Sequence, residues 1–124
     1  MTRETLSEFD RQYLETWTEP DPQRRRANIE RLWSADGRMV ISSIGLTVSG
    51  IDEIAAHVAR VHEQNIVERG LRFVYDQHAE AEDALLLRWS MLAPDDGIAG
   101  RGVDVLFRNA DGLVQTVYMF MGID

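Results

Sequence analysis

The stretch that decides the fold reads Gly100-Arg-Gly-Val-Asp-Val-Leu-Phe-Arg108, then Asn109-Ala-Asp-Gly112, then Leu113-Val-Gln-Thr-Val-Tyr-Met-Phe120. The outer pieces are rich in β-branched and aromatic residues, and the piece between them is a turn signal, so two antiparallel strands are predicted. Asp104 stands between two valines. Its side chain faces either solvent or a cavity, and burial in a cavity would raise its pKa towards that of a useful acid or base.

The same pattern extends through the whole second half of the chain. Strands are predicted over Leu71–Glu80, Ala84–Ala93, Ile98–Arg108 and Leu113–Met121. The loops between them are short and rich in Asp, Asn and Gly, which forces consecutive strands to be antiparallel. We therefore expect a four-stranded meander.

Helical patterns occupy the first third. An apolar stripe at three- and four-residue spacing predicts an amphipathic helix that Pro20 ends; it consists of Leu6, Phe9, Tyr13, Leu14 and Trp17. Asp21-Pro22 is typical of an N-cap followed by the first position of a second helix. The buried face of that helix is predicted to be Ile29, Leu32 and Trp33.

A small hairpin and a third helix come next. Ala35-Asp36-Gly37 is interpreted as a helix end and turn, after which Arg38–Ile41 and Leu46–Val48 are predicted to pair. Beyond Gly50, acidic residues precede an apolar stripe and predict a helix that runs to about Asn65. Helices followed by a meander indicate a single α+β domain over residues 1–124, with helices covering one face of the sheet.

Composition excludes several classes of function. The formal net charge of −8 argues against binding to nucleic acid or to an anionic membrane. There is no cysteine, so disulfides and thiolate chemistry are excluded, and all 13 basic residues are arginine, so no lysine can form a Schiff base. The N-terminus has no apolar segment of the secretory type, and no run approaches the ~18 apolar residues of a membrane span. We expect a cytoplasmic protein.

In the order of its elements the chain resembles the nuclear transport factor two-like superfamily, and within it the SnoaL-like branch of polyketide cyclases. The motifs that carry the resemblance are Leu32-Trp-Ser-Ala-Asp-Gly37, Gly50-Ile-Asp-Glu-Ile54, Gly102-Val-Asp104 and Asp111-Gly-Leu-Val114. The resemblance implies a strongly curved, mostly antiparallel sheet wrapped by three helices into a cone that encloses an apolar pocket. It also implies a homodimer formed through the open face of the sheet.

Asp104 falls where SnoaL-like cyclases carry the aspartate that moves a proton next to a carbonyl. The alternatives are an exposed strand aspartate, or one paired with Arg88 or Arg101. Strand alternation places Asp104 with Leu106 on one face, and Arg101 with Val103 on the other. The residue pattern does not say which face is covered.

Other residues could assist Asp104. Tyr13 lies where the related ketosteroid isomerase branch has its oxyanion tyrosine, whereas the positions of that branch's two carboxyl groups fall near Ile41 or Ser42 and near Arg101. Arg88-Trp89-Ser90 is similar to the arginine-x-aspartate of limonene epoxide hydrolases, but serine replaces the aspartate, so a water-activating triad is not expected. Arg88 remains a candidate clamp for a substrate oxygen, with a surface ion pair as the alternative.

The three histidines offer no metal site. His57 and His62 are five positions apart on one helix, about 140° around its axis, so they cannot chelate one ion. His57 is a candidate proton carrier at the pocket mouth, and His78 is expected near a strand end. No cofactor is predicted.

Aromatic residues are abundant enough to line a pocket for a flat, fused-ring or terpenoid-sized ligand. The predicted ligand-binding set is Trp17, Trp33, Tyr75, Trp89, Phe107 and Tyr118, with Phe73 and Phe120 as further candidates. The alternative is that many of these rings simply fill the core.

Two functions remain open. The first is a cofactor-independent cyclase, isomerase or dehydratase that acts on a small apolar, polyketide-like carbonyl compound, with Asp104 as acid or base and Tyr13, Arg88 or His57 assisting. The second is a non-catalytic module that binds a small apolar molecule or serves as a dimeric partner. An Asp104 that points into a closed cavity, with a hydrogen-bond donor in reach, would favour the first.

Overall fold

The structure, a computed structural model, describes residues 7–122 and begins with two helices. Helix α1 spans Glu8–Thr18 and helix α2 spans Pro22–Leu32. Asp21 caps α2 by accepting from the backbone N–H groups of Gln23 and Arg24, which confirms the Asp-Pro start predicted from the sequence. Leu6, the first residue of the predicted α1 stripe, lies outside the described residues.

Strand β1 spans Trp33–Ile41 and follows α2 directly. The prediction of a turn at Ala35-Asp36-Gly37 is therefore wrong, because these residues lie within the strand. The pairing of β1 with the last strand shifts register between Trp33 and Arg38, so the irregular segment is accommodated as a bulge. A Cβ on Gly37 would lie 2.9 Å from Cε3 of Trp33, so the glycine lets that ring fold back over the strand.

The predicted hairpin is confirmed. A 3-10 turn at Ser42–Ile44 leads to strand β2, Leu46–Ser49, which pairs antiparallel with β1. Helix α3 then spans Gly50–Val61 and continues as a π-helical segment, His62–Val67. The third helix therefore extends two residues beyond the predicted end at Asn65.

The second half is the predicted meander. Strands β3, β4, β5 and β6 span Arg72–Ala81, Ala84–Leu92, Ile98–Arg108 and Val114–Met121, and each is antiparallel to the next. The sheet order is β2-β1-β6-β5-β4-β3, so β1 joins the meander by pairing in parallel with β6. The expectation of an α+β fold with a mostly antiparallel sheet is confirmed.

One face of the sheet packs against the helices and forms the core. Alternate residues of β4 contribute Leu85, Leu87, Trp89 and Met91 to this face, and all four are buried. The open face carries half-buried residues of the same strands. Within residues 7–122, no helix is long and apolar enough to cross a membrane.

Candidate functional site

A cavity of about 270 Å³ lies between the covered face of the sheet, α1, and the helical segment that continues α3. Its walls are mainly apolar. They are formed by aromatic rings, aliphatic side chains and three methionines. The lining includes Trp17, Phe73, Tyr75, Trp89, Met91 and Met119. The opening is marked by exposed lining residues such as Ile44, whose side chain is 64% exposed.

Asp104 lies deep in this cavity. It is 2% exposed and occupies the middle of β5, where it pairs with Leu87 on one side and Met119 on the other. Because side chains at paired positions point to the same face, Asp104 shares the covered face with these two buried residues. The alternative of a solvent-facing aspartate is therefore excluded.

Two hydrogen bonds hold the Asp104 carboxylate. Trp89 donates from Nε1 to Oδ1 across 2.9 Å, and Tyr13 donates its hydroxyl to Oδ2 across 3.2 Å. Both donors are buried. Neither Arg88 nor Arg101 is among the partners of this carboxylate, so the alternative of an arginine pair is also excluded.

Gly102 allows Trp89 to reach Asp104. The two residues are paired across β4 and β5, and the indole lies against the glycine. A Cβ at position 102 would lie 2.7 Å from Trp89 Cε2 and 2.6 Å from the carbonyl oxygen of Phe120. Only glycine leaves room for this ring, whose Nε1 then points along β5 to the carboxylate.

Burial raises the pKa of Asp104 to about 7, although the hydrogen bonds from Trp89 and Tyr13 favour the ionised form and act in the opposite direction. Burial and the negative charge of Asp104 also raise the pKa values of Tyr13 and Tyr75 well above 10. Near neutral pH, Asp104 is therefore present both as acid and as base, while both phenols keep their protons and act as donors.

The opposite wall carries a second polar group. His57 and Arg60 come from α3, and Gln64 and Asn65 come from the π-helical segment. Arg60 Nη2 lies 3.3 Å from His57 Nδ1, and because a guanidinium can only donate, this ring nitrogen is the acceptor. The neutral ring therefore carries its proton on Nε2. Burial, and secondarily the charge of Arg60, lower the pKa of His57.

Sequence reasoning missed Arg60, Gln64 and Asn65. A signal was available, since His57, Arg60, Val61 and Gln64 recur at three- and four-residue spacing and so share one side of a helix. The sequence-based prediction for α3 used its apolar stripe and His57, and it left out the polar residues that share a side with His57.

The structure brings most of the predicted site residues to the cavity. Asp104, His57, Trp17, Tyr75 and Trp89 line it. Tyr13 lies behind the wall and reaches the site through its hydroxyl alone.

Four predicted residues lie elsewhere. Arg88 alternates with Leu87 and Trp89, so it points to the open face, where its Nε donates to Gln77 across 3.4 Å. Phe107 and Tyr118 pack edge to face on that same side, with ring centroids 6.1 Å apart. Trp33 is buried behind Tyr13, with a centroid distance of 6.4 Å.

The remaining histidines have partners of their own. His62 is buried and donates from Nδ1 to the carbonyl oxygen of Trp17 across 2.8 Å, which ties the π-helical segment to α1. His78 lies between two carboxylates, with Nδ1 2.6 Å from Asp10 and Nε2 3.1 Å from Glu80. Within residues 7–122, no group of three or more histidine or acidic side chains is arranged to hold a metal ion.

Many solved structures share the fold of this chain. The chain is similar to a proposed isomerase of the SnoaL-like family from Agrobacterium tumefaciens, with 25% identity and a TM-score of 0.81 over 91% of this chain and 93% of that one. A proposed SnoaL-like polyketide cyclase from Jannaschia sp. CCS1 gives 15% identity and a TM-score of 0.63, covering 96% and 91%. A proposed ketosteroid isomerase from Kribbella flavida gives 16% identity and a TM-score of 0.65, covering 94% of this chain and 76% of that one.

Several other structures with this fold have no known function. None of the curated proteins compared with the chain matches it. The family model described as a SnoaL-like domain matches residues 11–117, which is most of the sequence. The chain therefore belongs to the SnoaL-like family.

Proposed function

We propose that the protein is a cofactor-independent enzyme of the isomerase or cyclase type, which moves a proton at a carbon next to a carbonyl group with Asp104 as the acid and base. The observation that carries this proposal is a buried carboxylate deep in an apolar cavity, with its pKa raised by burial to about 7. A general base works best when its pKa is near the working pH.

The chemistry requires a base and a donor that act at different atoms. Ionised Asp104 takes a proton from the carbon next to the carbonyl, and the C–H electron pair moves into the carbonyl to form an enolate. In an isomerase, protonated Asp104 returns the proton at the far carbon of a conjugated dienolate, and the carbonyl re-forms. In a cyclase, the enolate carbon adds to a second carbonyl of the same substrate, whose π pair moves to its oxygen, and that oxygen takes the proton from Asp104. Tyr13 and Trp89 hold the carboxylate throughout, so the sequence-based role of Tyr13 as a donor to the substrate is replaced by one that orients the base.

The donor for the enolate oxygen must come from another cavity wall. Tyr75 lines the cavity, and its phenol is near enough to Asp104 for the aspartate charge to raise its pKa. The Nε2–H of His57 is a second donor, and it lies deeper than Arg60 and Gln64, which are exposed at the opening. We assign the enolate to one of these two groups, because preorganised donors contribute most where negative charge develops.

Cavity size narrows the substrate. A cavity of ~150 Å³ holds one benzene ring. The 270 Å³ found here suits a compound of one or two rings, or a ten-carbon terpenoid. This ligand size is at the lower end of what the aromatic content of the sequence predicts. The reason is that Phe107, Tyr118 and Trp33 do not line the cavity.

Proton exchange tests the proposal directly. One- and two-ring ketones are incubated with the protein in deuterated water, and incorporation of deuterium next to the carbonyl is followed by NMR. Replacement Asp104→Asn should slow exchange about a hundredfold or more. Asp83→Asn, an exposed carboxylate in the β3–β4 turn, is the matched control and should leave the rate unchanged. Equal rates for wild type and Asp104→Asn would contradict the proposal.

The second candidate is binding without turnover, which the aromatic and methionine-rich walls favour. It predicts that a ketone binds the wild type and that no exchange follows. Binding and exchange are measured on the same samples, so the two candidates give different results.

We also propose a homodimer that packs through the open face of the sheet. Phe107 and Tyr118 lie on this face, and Phe120 beside them is 40% exposed. Sedimentation should give twice the chain mass, and Phe120→Asp should shift the population towards monomer. A monomeric wild type at high concentration would overturn this proposal.

A further inference from the structure

Arg60 is a cation that lines an apolar cavity and has no carboxylate partner among residues 7–122. What distinguishes Arg60 from the other arginines is its position in the cavity wall. In the part of the chain that the structure describes, the arginines in ion pairs are Arg26, Arg72 and Arg108. Arg60 instead contacts the ring of His57. A guanidinium left unpaired at the wall of a cavity is available to a ligand.

His57 fixes the direction of this guanidinium. Its Nδ1 accepts from Arg60, and the ring is only 6% exposed and packs edge to face against Trp17. One N–H of Arg60 is thereby occupied, and four donors remain. Burial and the Arg60 charge both lower the pKa of His57, so the ring stays neutral and does not repel its neighbour.

Charge is separated along the cavity. Asp104 is at the buried end, whereas Arg60 and Gln64 are exposed at the opening. The amides of Gln64 and Asn65 add neutral donors beside the guanidinium. An anionic group at the opening would keep part of its hydration, so its binding would cost little desolvation. It would also be separated from the negative charge of Asp104, so repulsion between the two would be weak.

We propose that Arg60 determines specificity by binding a carboxylate of the substrate at the cavity opening, so that the substrate is a small carbonyl acid of one or two rings. The planar guanidinium matches a carboxylate in two parallel hydrogen bonds. Arg60 is the one arginine among the described residues that line the cavity, which suits one negative charge better than a phosphate dianion. The position of the carbonyl beside Asp104 rests on the proposed function, but the carboxylate site does not.

Matched ligands separate charge recognition from apolar binding. The probes are naphthalene-2-carboxylate and naphthalene-2-carboxamide, with benzoate and benzamide as the one-ring pair, and dissociation constants are measured by calorimetry. Both carboxylates should bind the wild type more tightly than their amides. Arg60→Gln should weaken carboxylate binding about tenfold to a hundredfold and change amide binding less than about twofold.

Two further variants serve as controls. Arg24→Gln makes the same change of charge on α2, which contributes no residue to the cavity, and should leave all four constants unchanged. Arg60→Lys keeps the charge but loses the planar fork, and should restore part of the carboxylate affinity. The ¹⁵N shifts of His57 should show an increased pKa in Arg60→Gln, which confirms that the variant has lost the expected contact.

The proposal is wrong if neither carboxylate binds more tightly than its amide, or if Arg60→Gln weakens acids and amides equally. Tighter binding of naphthyl phosphate than of naphthalene-2-carboxylate would also overturn it. Failure of the proposed proton transfer is recognised separately, because Asp104→Asn would then leave exchange unchanged while the effect of Arg60→Gln on carboxylate binding persisted.

Discussion

Trp89 and Asp104 are joined by a 2.9 Å hydrogen bond between neighbouring strands, from the indole Nε1 to the carboxylate Oδ1. The carboxylate is buried, so the indole replaces part of the hydration that the ionised form loses. The same bond sets the direction of the second oxygen, which accepts from Tyr13 on α1. Residues of one helix and one strand thus hold the side chain of Asp104, on a second strand, deep in the cavity.

Replacement Trp89→Phe should raise the pKa of Asp104 above 7, because it removes a hydrogen bond that favours the ionised form. A hydrogen bond to a charged group contributes about 1.5–3 kcal/mol, so the rise should be about one to two pH units. The pH profile of deuterium exchange should move upwards by the same amount, since the base form appears at higher pH.

The matched control is Trp33→Phe. Trp33 is also buried, but its Nε1 has no hydrogen-bond partner among the described residues. This variant loses an indole without losing a bond to Asp104, and its pH profile should match that of the wild type. A profile that moves equally in both variants would show that Trp89 acts only through packing.

Stability should fall as the pH rises through the titration of Asp104. The pKa is 3.8 for an ordinary aspartate and about 7 in the folded protein, so between these values the folded state holds a proton that the unfolded state releases. The free energy of unfolding therefore contains a term of about 4 kcal/mol that is present below pH ~4 and is lost by pH ~8.

Denaturant unfolding at pH 5 and pH 8 tests this term. Asn cannot titrate, so Asp104→Asn should lose less stability between the two pH values than the wild type does. Other groups, His57 included, titrate in both proteins and cancel in the comparison. Asp83→Asn should behave like the wild type. The same loss in wild type and Asp104→Asn would mean that Asp104 titrates normally.

Gly102→Ala should disturb the site from within β5, two residues before Asp104. The added Cβ would meet the Trp89 indole and the carbonyl oxygen of Phe120, neither of which can move cheaply. We expect a loss of about 1–3 kcal/mol in stability and a shift of the Trp89 indole N–H resonance. Gly100→Ala is the control, because its Cβ meets only the flexible end of Met91 and should cost less. Equal effects in both variants would show that the ring does not depend on Gly102.

The elements of the fold follow from local sequence, and the turn signals at Asp83, Asp95 and Asp111 place the four meander strands correctly. Ala35-Asp36-Gly37 misleads because the same residue types serve a turn and a bulge, and only the pairing of β1 with β6 decides between them. That pairing joins residues some 80 positions apart. A local sequence pattern therefore cannot predict this pairing.

The sequence predicts only part of the site, again because the missing information lies in contacts between distant segments. Alternation separates Asp104 from Val103, but both faces of β5 carry apolar residues, so it does not reveal which face the helices cover. The same ambiguity explains why Arg88, Phe107 and Tyr118 were assigned to the cavity. Helical spacing places Arg60 on the same side of α3 as His57, but whether that side faces a cavity depends on the distance between α3 and the sheet, which the sequence does not contain.

The most direct test is the pKa of Asp104 itself, measured by carboxyl-detected NMR titration with Asp104→Asn to assign the signal. We predict a value of about 7, set by burial and moderated by Trp89 and Tyr13. A value near 4 or below would contradict the account, because the carboxylate would then be too weak a base for the proposed proton transfer.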